Sequence, residues 1–363
     1  MNLETAKASV DFLISKSNHY KIVRLGWFGG EPLIKINLID KVTEYAKAQT
    51  KKVKKSLQIS FSTNGILFSN EKVRKYFKKN REIMRPLIFS LDGWEKSHNA
   101  HRKYLNGRGS FEGAWKGLRF AEKILGKDNI IIRWTLTPDT VYNLSSDFKI
   151  LIAKGFRIFA IDPLKNISWS EKELLIYKRE LEKIIPLYLN FLRKGEQIYV
   201  MPIDNSLKIF SKFFKARRKI METKRCGLGQ GFCAVGYDGT LWPCVRFIGL
   251  GNQWKIGTVF DGFNENRERV SKWRRTEVIN KKKCITCPLR KICNGFCIAA
   301  NAEITGDRNN VPDIVCRFAL IDLEIAREIR KVILAEKLKY QVLSLMVPNA
   351  NLREKVSLKT KIE

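Results

Sequence analysis

Residues 21–32 read KIVRLGWFGGEP. The apolar run 21–28 predicts a buried strand, and Gly29-Gly30 with Pro32 ends it. The same phrase, a short apolar run and then a turn, recurs down the chain. LQISFST at 57–63 stops at Asn64-Gly65, and PLIFSL at 86–91 stops at Asp92-Gly93. IIIRWTLT follows at 130–137, and FRIFAI at 156–161 stops at Asp162-Pro163. Between these runs the apolar period changes to that of helices, at 4–17, 37–54, 70–79, 111–125, 144–154 and 170–195. In the first of them Ala6, Val10, Leu13 and Ile14 share a face. Five strands separated by helices predict an α/β fold with a parallel sheet, open or curled into a partial (β/α) TIM-type barrel. Chemistry in such folds gathers at the C-terminal ends of the strands. The polar and Gly-rich residues fall there: Gly29 to Pro32, Asn64-Gly65, Ser90 to Gly93, and Asp162.

The turn after the first run has a chemistry of its own. Gly29 and Gly30 carry no side chains, so backbone groups can approach a ligand. Glu31 adds a carboxylate and Pro32 stiffens the exit. Carbonyls with a carboxylate suit an ammonium group; the plainer reading is a tight turn with a surface Glu.

With 363 residues, 44% of them hydrophobic, the chain can bury a sizeable core. No run of about 18 apolar residues is present, so no transmembrane helix is expected. Met1 to Tyr20 lacks the order of a signal peptide. A cytoplasmic, reducing location is expected, where thiols bind metal more often than they form disulfides. The net charge of +32 suits an acidic partner, either nucleic acid or an acidic peptide. It also suits solvated helix faces, because Lys and Arg are spread along the chain. No coherent basic stripe or aromatic platform is visible, so nucleic acid is not expected. The segment 317–346 predicts an amphipathic helix, and Pro348 to Glu363 predicts a loosely ordered end.

All eight cysteines lie between Cys226 and Cys316, which marks a composition boundary near residue 200. Cys284, Cys287, Cys293 and Cys297 form a dense array whose thiolates can converge on a metal. Cys226, Cys233 and Cys244 lie upstream and Cys316 downstream. Residues 233–244 read CAVGYDGTLWPC. A two-residue hairpin turn at Asp238-Gly239 would set Cys233 directly opposite Cys244, with Cβ atoms roughly 4.5–5.5 Å apart. One iron–sulfur cluster could bridge that gap; a cross-strand disulfide or a free core thiol are the alternatives. Spacing alone also allows two four-thiolate zinc sites.

These motifs resemble the radical SAM family with a C-terminal SPASM region. Gly29-Gly30-Glu31-Pro32 is similar to the family's SAM-binding turn. Ser90-Leu91-Asp92-Gly93, with His98, Arg102, Gly109, Ser110, Phe111 and Glu112, resembles its fourth-strand region. The cysteines, with Gly239, resemble the seven-cysteine SPASM pattern. The resemblance implies that Gly29, Gly30, Glu31, Pro32 and Ser90 bind S-adenosylmethionine (SAM). Arg133 and Asn64 stand at plausible neighbouring positions, and His98 and His101 read as structural or surface residues. It implies two auxiliary [4Fe-4S] clusters, one on Cys226, Cys233, Cys244 and Cys297, the other on Cys284, Cys287, Cys293 and Cys316. It further implies a reductant such as ferredoxin or flavodoxin and a peptide or protein substrate, acidic by charge complementarity. It covers about residues 3–330, as a core at 1–200, an auxiliary region at 201–330 and a helix and tail at 331–363.

Two departures qualify this. Family members carry a CxxxCxxC motif before the first helix, holding a third [4Fe-4S] cluster at which SAM is cleaved to a 5′-deoxyadenosyl radical. Here no cysteine precedes Cys226. A sequence truncated at its N-terminus is the economical account; a family member that never cleaves SAM, an iron–sulfur scaffold, is the other. A basic zinc protein that binds nucleic acid stands outside the family. The sulfatase-maturating members also place an Asp after the cysteine equivalent to Cys244. Val245 stands here, so formylglycine formation is not expected, and no catalytic base is identified.

Overall fold

A computed structural model describes residues 1–209, 232–273, 282–287 and 297–340. Strands and helices alternate through the first two hundred residues. They run α1 Leu3–Ser15, β1 Ile22–Trp27, α2 Ile36–Lys52, β2 Ser56–Thr63, α3 Glu71–Lys79, β3 Leu87–Ser90, α4 Glu95–His101 and α5 Phe111–Leu125. There follow β4 Ile130–Leu136, α6 Leu144–Ala153, β5 Ile158–Pro163, α7 Glu171–Arg193, β6 Tyr199–Val200 and α8 Met201–Ile209. The six strands form one sheet in sequential order, and the pairs from β2 to β6 are parallel. Sequential parallel order with helical crossovers is the winding of a (β/α) barrel. The five expected strands are all present. The sixth, β6, is two residues long and too short to carry an alternation. No helix among the described residues is long and apolar enough to cross a membrane.

Strand alternation divides the sheet into two faces. Leu87, Phe89, Ile132, Trp134, Phe159 and Ile161 are almost wholly buried on one. The other carries a small apolar cluster of Ile131, Ile158, Ala160 and Tyr199, with Ile88 packed against it. Toward the C-terminal ends this second face turns polar. Ser90 is in register with Arg133, and Thr135 with Asp162.

The cysteine-rich part contains a second, antiparallel sheet of β7 Ala234–Val235, β8 Thr240–Trp242, β9 Gly257–Thr258 and β10 Gly262–Phe263, in the order β10-β9-β8-β7. The helices α9 Asn266–Trp273, α10 Lys282–Ile285, α11 Ile298–Thr305 and α12 Asp313–Ala335 complete the described elements. α12 begins earlier than the expected 317–346, and residues 341–363 lie outside the described set.

Two compact units result, neither continuous in sequence. One comprises Met1–Leu25, Lys35–Gln58 and Arg218–Cys316; the other comprises Gly26–Ile34, Ile59–Arg217 and Arg317–Glu363. In the first, Phe12 of α1 joins the core built by Leu241, Trp242, Phe247, Ile256 and Val270, meeting the Phe263 ring edge-on at 5.1 Å. In the second, α12 lies on α7: Phe318 meets Trp169 and Tyr177 edge-on, and Arg317 pairs with Glu171. α7 starts on a capping box, where Ser170 accepts from the Glu173 amide and Glu173 accepts from the Ser170 amide.

Candidate functional site

The Gly29–Pro32 turn leaves β1 and enters a short 3-10 turn, Pro32–Lys35. Gly29 holds φ at +140°, a conformation side chains resist, and a Cβ on either glycine would meet nothing within 4 Å. The backbone there stands open to a ligand. Glu31 does not point freely outward. Its Oε1 accepts from the Thr63 hydroxyl at 2.7 Å and the Leu33 amide at 3.1 Å, and its Oε2 accepts from the Asn64 amide at 2.8 Å. A carboxylate has about four acceptor positions, so at most about one remains for a ligand. Glu31 therefore ties the turn after β1 to the turn after β2.

Ser90 ends β3, half-buried, beside Arg133 of β4. Arg133 donates to Asp162 Oδ2 at 2.8 Å, and Lys165 bonds the other oxygen and the Pro163 carbonyl. Burial works to raise the Asp162 carboxyl, but Lys165 and Arg133 outweigh it and hold it below its usual range. Asp162 thus holds two cations at this end of the sheet. Asp162 and Arg133 are both positions that the sequence marks at this sheet end. Lys165 and Thr135 are not so marked; Thr135 was discoverable from the period of two that puts it on the face of Ser90.

Behind Ser90 a buried network fixes the β3–α5 connection. Asp92 pairs with Arg102 and accepts from the Thr135 amide at 2.7 Å. The Asp92 amide donates to His98 Nδ1 at 3.3 Å. Nε2 then carries the proton and meets Ser110 Oγ at 3.1 Å, which donates to the Arg102 carbonyl at 3.0 Å. Burial first, and Arg102 second, bring the His98 imidazole down to about 3. His98 is thus a neutral structural group. His101 is exposed and pairs with Asp139.

Four of the described cysteines fall into two packed groups. Cys244 is buried in the core around Leu241 and Trp242, and Cys233 packs against it. Cys297 precedes α11, whose Ala299 and Ala302 lie in that same core. Cys284 is buried with Val311 and Val315, and Cys316 packs there too. Cys287 follows by a turn, its amide donating to the Cys284 carbonyl at 3.3 Å. Cys226 and Cys293 lie outside the described residues. Among the described residues no three Cys, His, Asp or Glu side chains gather into a group that could hold a metal ion. Burial pushes the Cys233 thiol up to about 11, with Arg267 pulling back, so a thiolate there needs a positive centre to stabilise it.

The hairpin register differs from expectation. Ala234 pairs with Trp242 and Val235 with Leu241. The Gly236 amide donates to the Thr240 carbonyl at 2.8 Å, which closes a three-residue loop rather than a two-residue one. Cys233 therefore stands opposite Pro243, and Cys244 is one position further on. The cause is local. Asp238 accepts from the Thr240 amide and hydroxyl, and Gly239, at φ +87°, takes the left-handed position that follows a turn in such loops.

A sequentially wound parallel sheet followed by a small cysteine-rich sheet is a fold shared with radical SAM enzymes. The structure of anSMEcpe with bound AdoMet matches with a TM-score of 0.72 at 18% identity, over 93% of this chain and 90% of that one. The same protein with AdoMet and the Kp18Cys peptide matches with a TM-score of 0.72 at 19% identity, over 93% and 91%. In sequence, radical SAM cyclopropyl synthase TigE of Paramaledivibacter caminithermalis is 28% identical over 297 residues, 79% of this chain and 56% of TigE. The AdoMet-dependent heme synthase of Methanosarcina barkeri is 26% identical over 294 residues, 77% of this chain and 78% of the synthase. An uncharacterised protein of Methanocaldococcus jannaschii is 30% identical over 202 residues, 53% of this chain and 66% of that protein. The matched stretches span 66% and 56% of the first two curated relatives. No family model matches the chain. Radical SAM enzymes are homologues of this chain.

Proposed function

We propose that this chain is a radical SAM/SPASM iron–sulfur protein whose eight cysteines hold two auxiliary [4Fe-4S] clusters and whose protein, as a whole, modifies a peptide or protein. The observation that carries it is the division of the thiols. Cys233 and Cys244 share one core with the helix that Cys297 precedes, while Cys284 and Cys316 share another. That division agrees with the two ligand sets implied by the family resemblance, with Cys226 and Cys293 completing them. Four thiolates to each cluster leave no open iron, so their chemistry is electron transfer or structural support. SAM would lie along the open backbone of Gly29 and Gly30, with Pro32 stiffening the turn, Glu31 bracing it and Ser90 within the same sheet end. A ferredoxin or flavodoxin would supply electrons, and cytoplasmic residence fits the cysteine usage. The functional division at 1–200, 201–330 and 331–363 belongs to this reading. The bound peptide in the anSMEcpe structure supports a peptide substrate.

Metal analysis of the anaerobically reconstituted chain tests it. The expected result is about eight irons per chain with broad absorption near roughly 400 nm. Stoichiometric zinc without that absorption would favour the two-zinc alternative and sink the proposal.

A further inference from the structure

Between α4 and α5 the chain folds into a small hairpin at residues 102–110. Its base is rigid. Arg102 pairs with buried Asp92, and Ser110 binds the Arg102 carbonyl and His98. Asn99 accepts from the Phe111 amide at 2.9 Å, Lys103 bridges to Gly109, and the Tyr104 amide donates to the Arg108 carbonyl at 2.8 Å. Its tip, in contrast, offers side chains to solvent: Leu105 is fully exposed and Tyr104 is 39% exposed. Beside the tip lies an open hollow of about 440 Å³ lined by Tyr104, Asn106, Arg108, Glu112 and Lys116.

The charges in the hollow are uncommitted. Of the neighbouring arginines, Arg102 pairs with Asp92 and Arg119 with Glu122. Arg108 and Lys116 make no ion pair among the described residues, and neither does Glu112. Two cations therefore face one carboxylate, beside an exposed aliphatic side chain held on a braced loop.

We propose that this hollow is a docking site for an acidic peptide segment, whose carboxylates are taken by Arg108 and Lys116 while an aliphatic residue lies against Leu105. The unpaired Glu112 selects for a peptide over a nucleic acid. A peptide brings amide N–H groups that this carboxylate can accept, whereas a phosphodiester backbone brings a negative charge at every nucleotide towards Glu112. The rigid base lowers the ordering cost of binding, and the chain's net charge of +32 steers an acidic partner towards the site.

The site deepens the peptide part of the proposed function, but its test needs neither SAM nor a reductant. Anisotropy of a labelled peptide alternating acidic residues with Leu is followed against the full chain, beside single-stranded RNA of equal charge. Binding that weakens about tenfold in Arg108→Glu and in Lys116→Glu, and also weakens in Leu105→Ser, is the expected result. Lys149→Glu, an exposed charge on α6, should leave it unchanged. The inference is overturned if the peptide does not bind, if Lys149→Glu costs as much as Arg108→Glu, or if RNA binds tighter than the peptide through Arg108. Peptide that docks at this hollow yet is never modified would count against the enzymatic reading alone.

Discussion

Glu31 carries three hydrogen bonds from Thr63, Leu33 and Asn64, so its first task is to hold two turns together. Removing it leaves three donors without their acceptor. Glu31→Ala should cost about 2–3 kcal/mol in urea unfolding, with Glu31→Gln costing less, and both should weaken SAM binding in titration calorimetry. Equal stability of all three proteins would contradict the bracing role. Asp204 is the opposite case, a wholly buried carboxylate outside the residues singled out for a site. It accepts from the Tyr188 and Tyr340 hydroxyls at 3.2 and 2.9 Å and from the Val200 amide at 2.7 Å. Burial outweighs these donors and pushes the carboxyl up to about 6. Between the usual carboxylate value and about 6, the folded chain keeps a proton that the unfolded chain has released. That contribution to stability is full below the usual value and is lost as pH rises through about 6. Relative to Asp204→Asn, the unsubstituted chain should lose roughly 2–3 kcal/mol between about pH 4 and pH 7. Parallel stability profiles for the two would refute it.

Among the elements, the β7–β8 hairpin is the informative one. Its three-residue loop depends on Gly239 at φ +87°, where a Cβ would come within 2.7 Å of the Phe260 ring. Gly239→Ala should lower stability by about 1–3 kcal/mol, read from the unfolding of the chain by intrinsic fluorescence. A change within experimental scatter would mean that the loop can adopt another turn. α7 offers a contrasting end, since its capping box could be read directly as Ser170-x-x-Glu173. β6 could not, because two residues carry no period, and α4 is a seven-residue helix with too short a repeat to declare itself.

At the scale of the whole chain, the proposed disposition of thiols sets an expectation for its chemistry with SAM. All eight cysteines lie from Cys226 onward, and the proposed clusters engage every one. The pure chain given SAM and dithionite should therefore form no 5′-deoxyadenosine above background, which chromatography detects. Clear production of it would show that the cysteines are shared out differently. The two compact units add a constraint that no linear division expresses. Phe12, from the first helix, packs in the core that holds Cys233 and Cys244, so damage to α1 should reach the cysteine-rich unit.

The succession of apolar runs and Gly- or Asp-ended turns was enough to predict the parallel α/β sheet, because strand burial leaves a pattern that depends only on neighbours in sequence. The Gly29–Pro32 turn and the eight cysteines were legible for a similar reason: few residue types tolerate those positions, and their spacing is local. Packing settled what spacing could not. A loop of two residues and one of three can both contain Asp-Gly, and only the β7–β8 pairing, with Gly239 against Phe260, chooses between them. Glu31 could be read as a ligand for an ammonium group until Thr63 and Asn64 arrived from another strand to occupy it. Arg133 gained its place beside Asp162 through the pairing of β4 with β5, and Phe12 its place in the cysteine core through a contact some 250 residues away in sequence. Such pairings arise from burial shared between distant segments, and no local pattern of residues encodes which distant partner will be met.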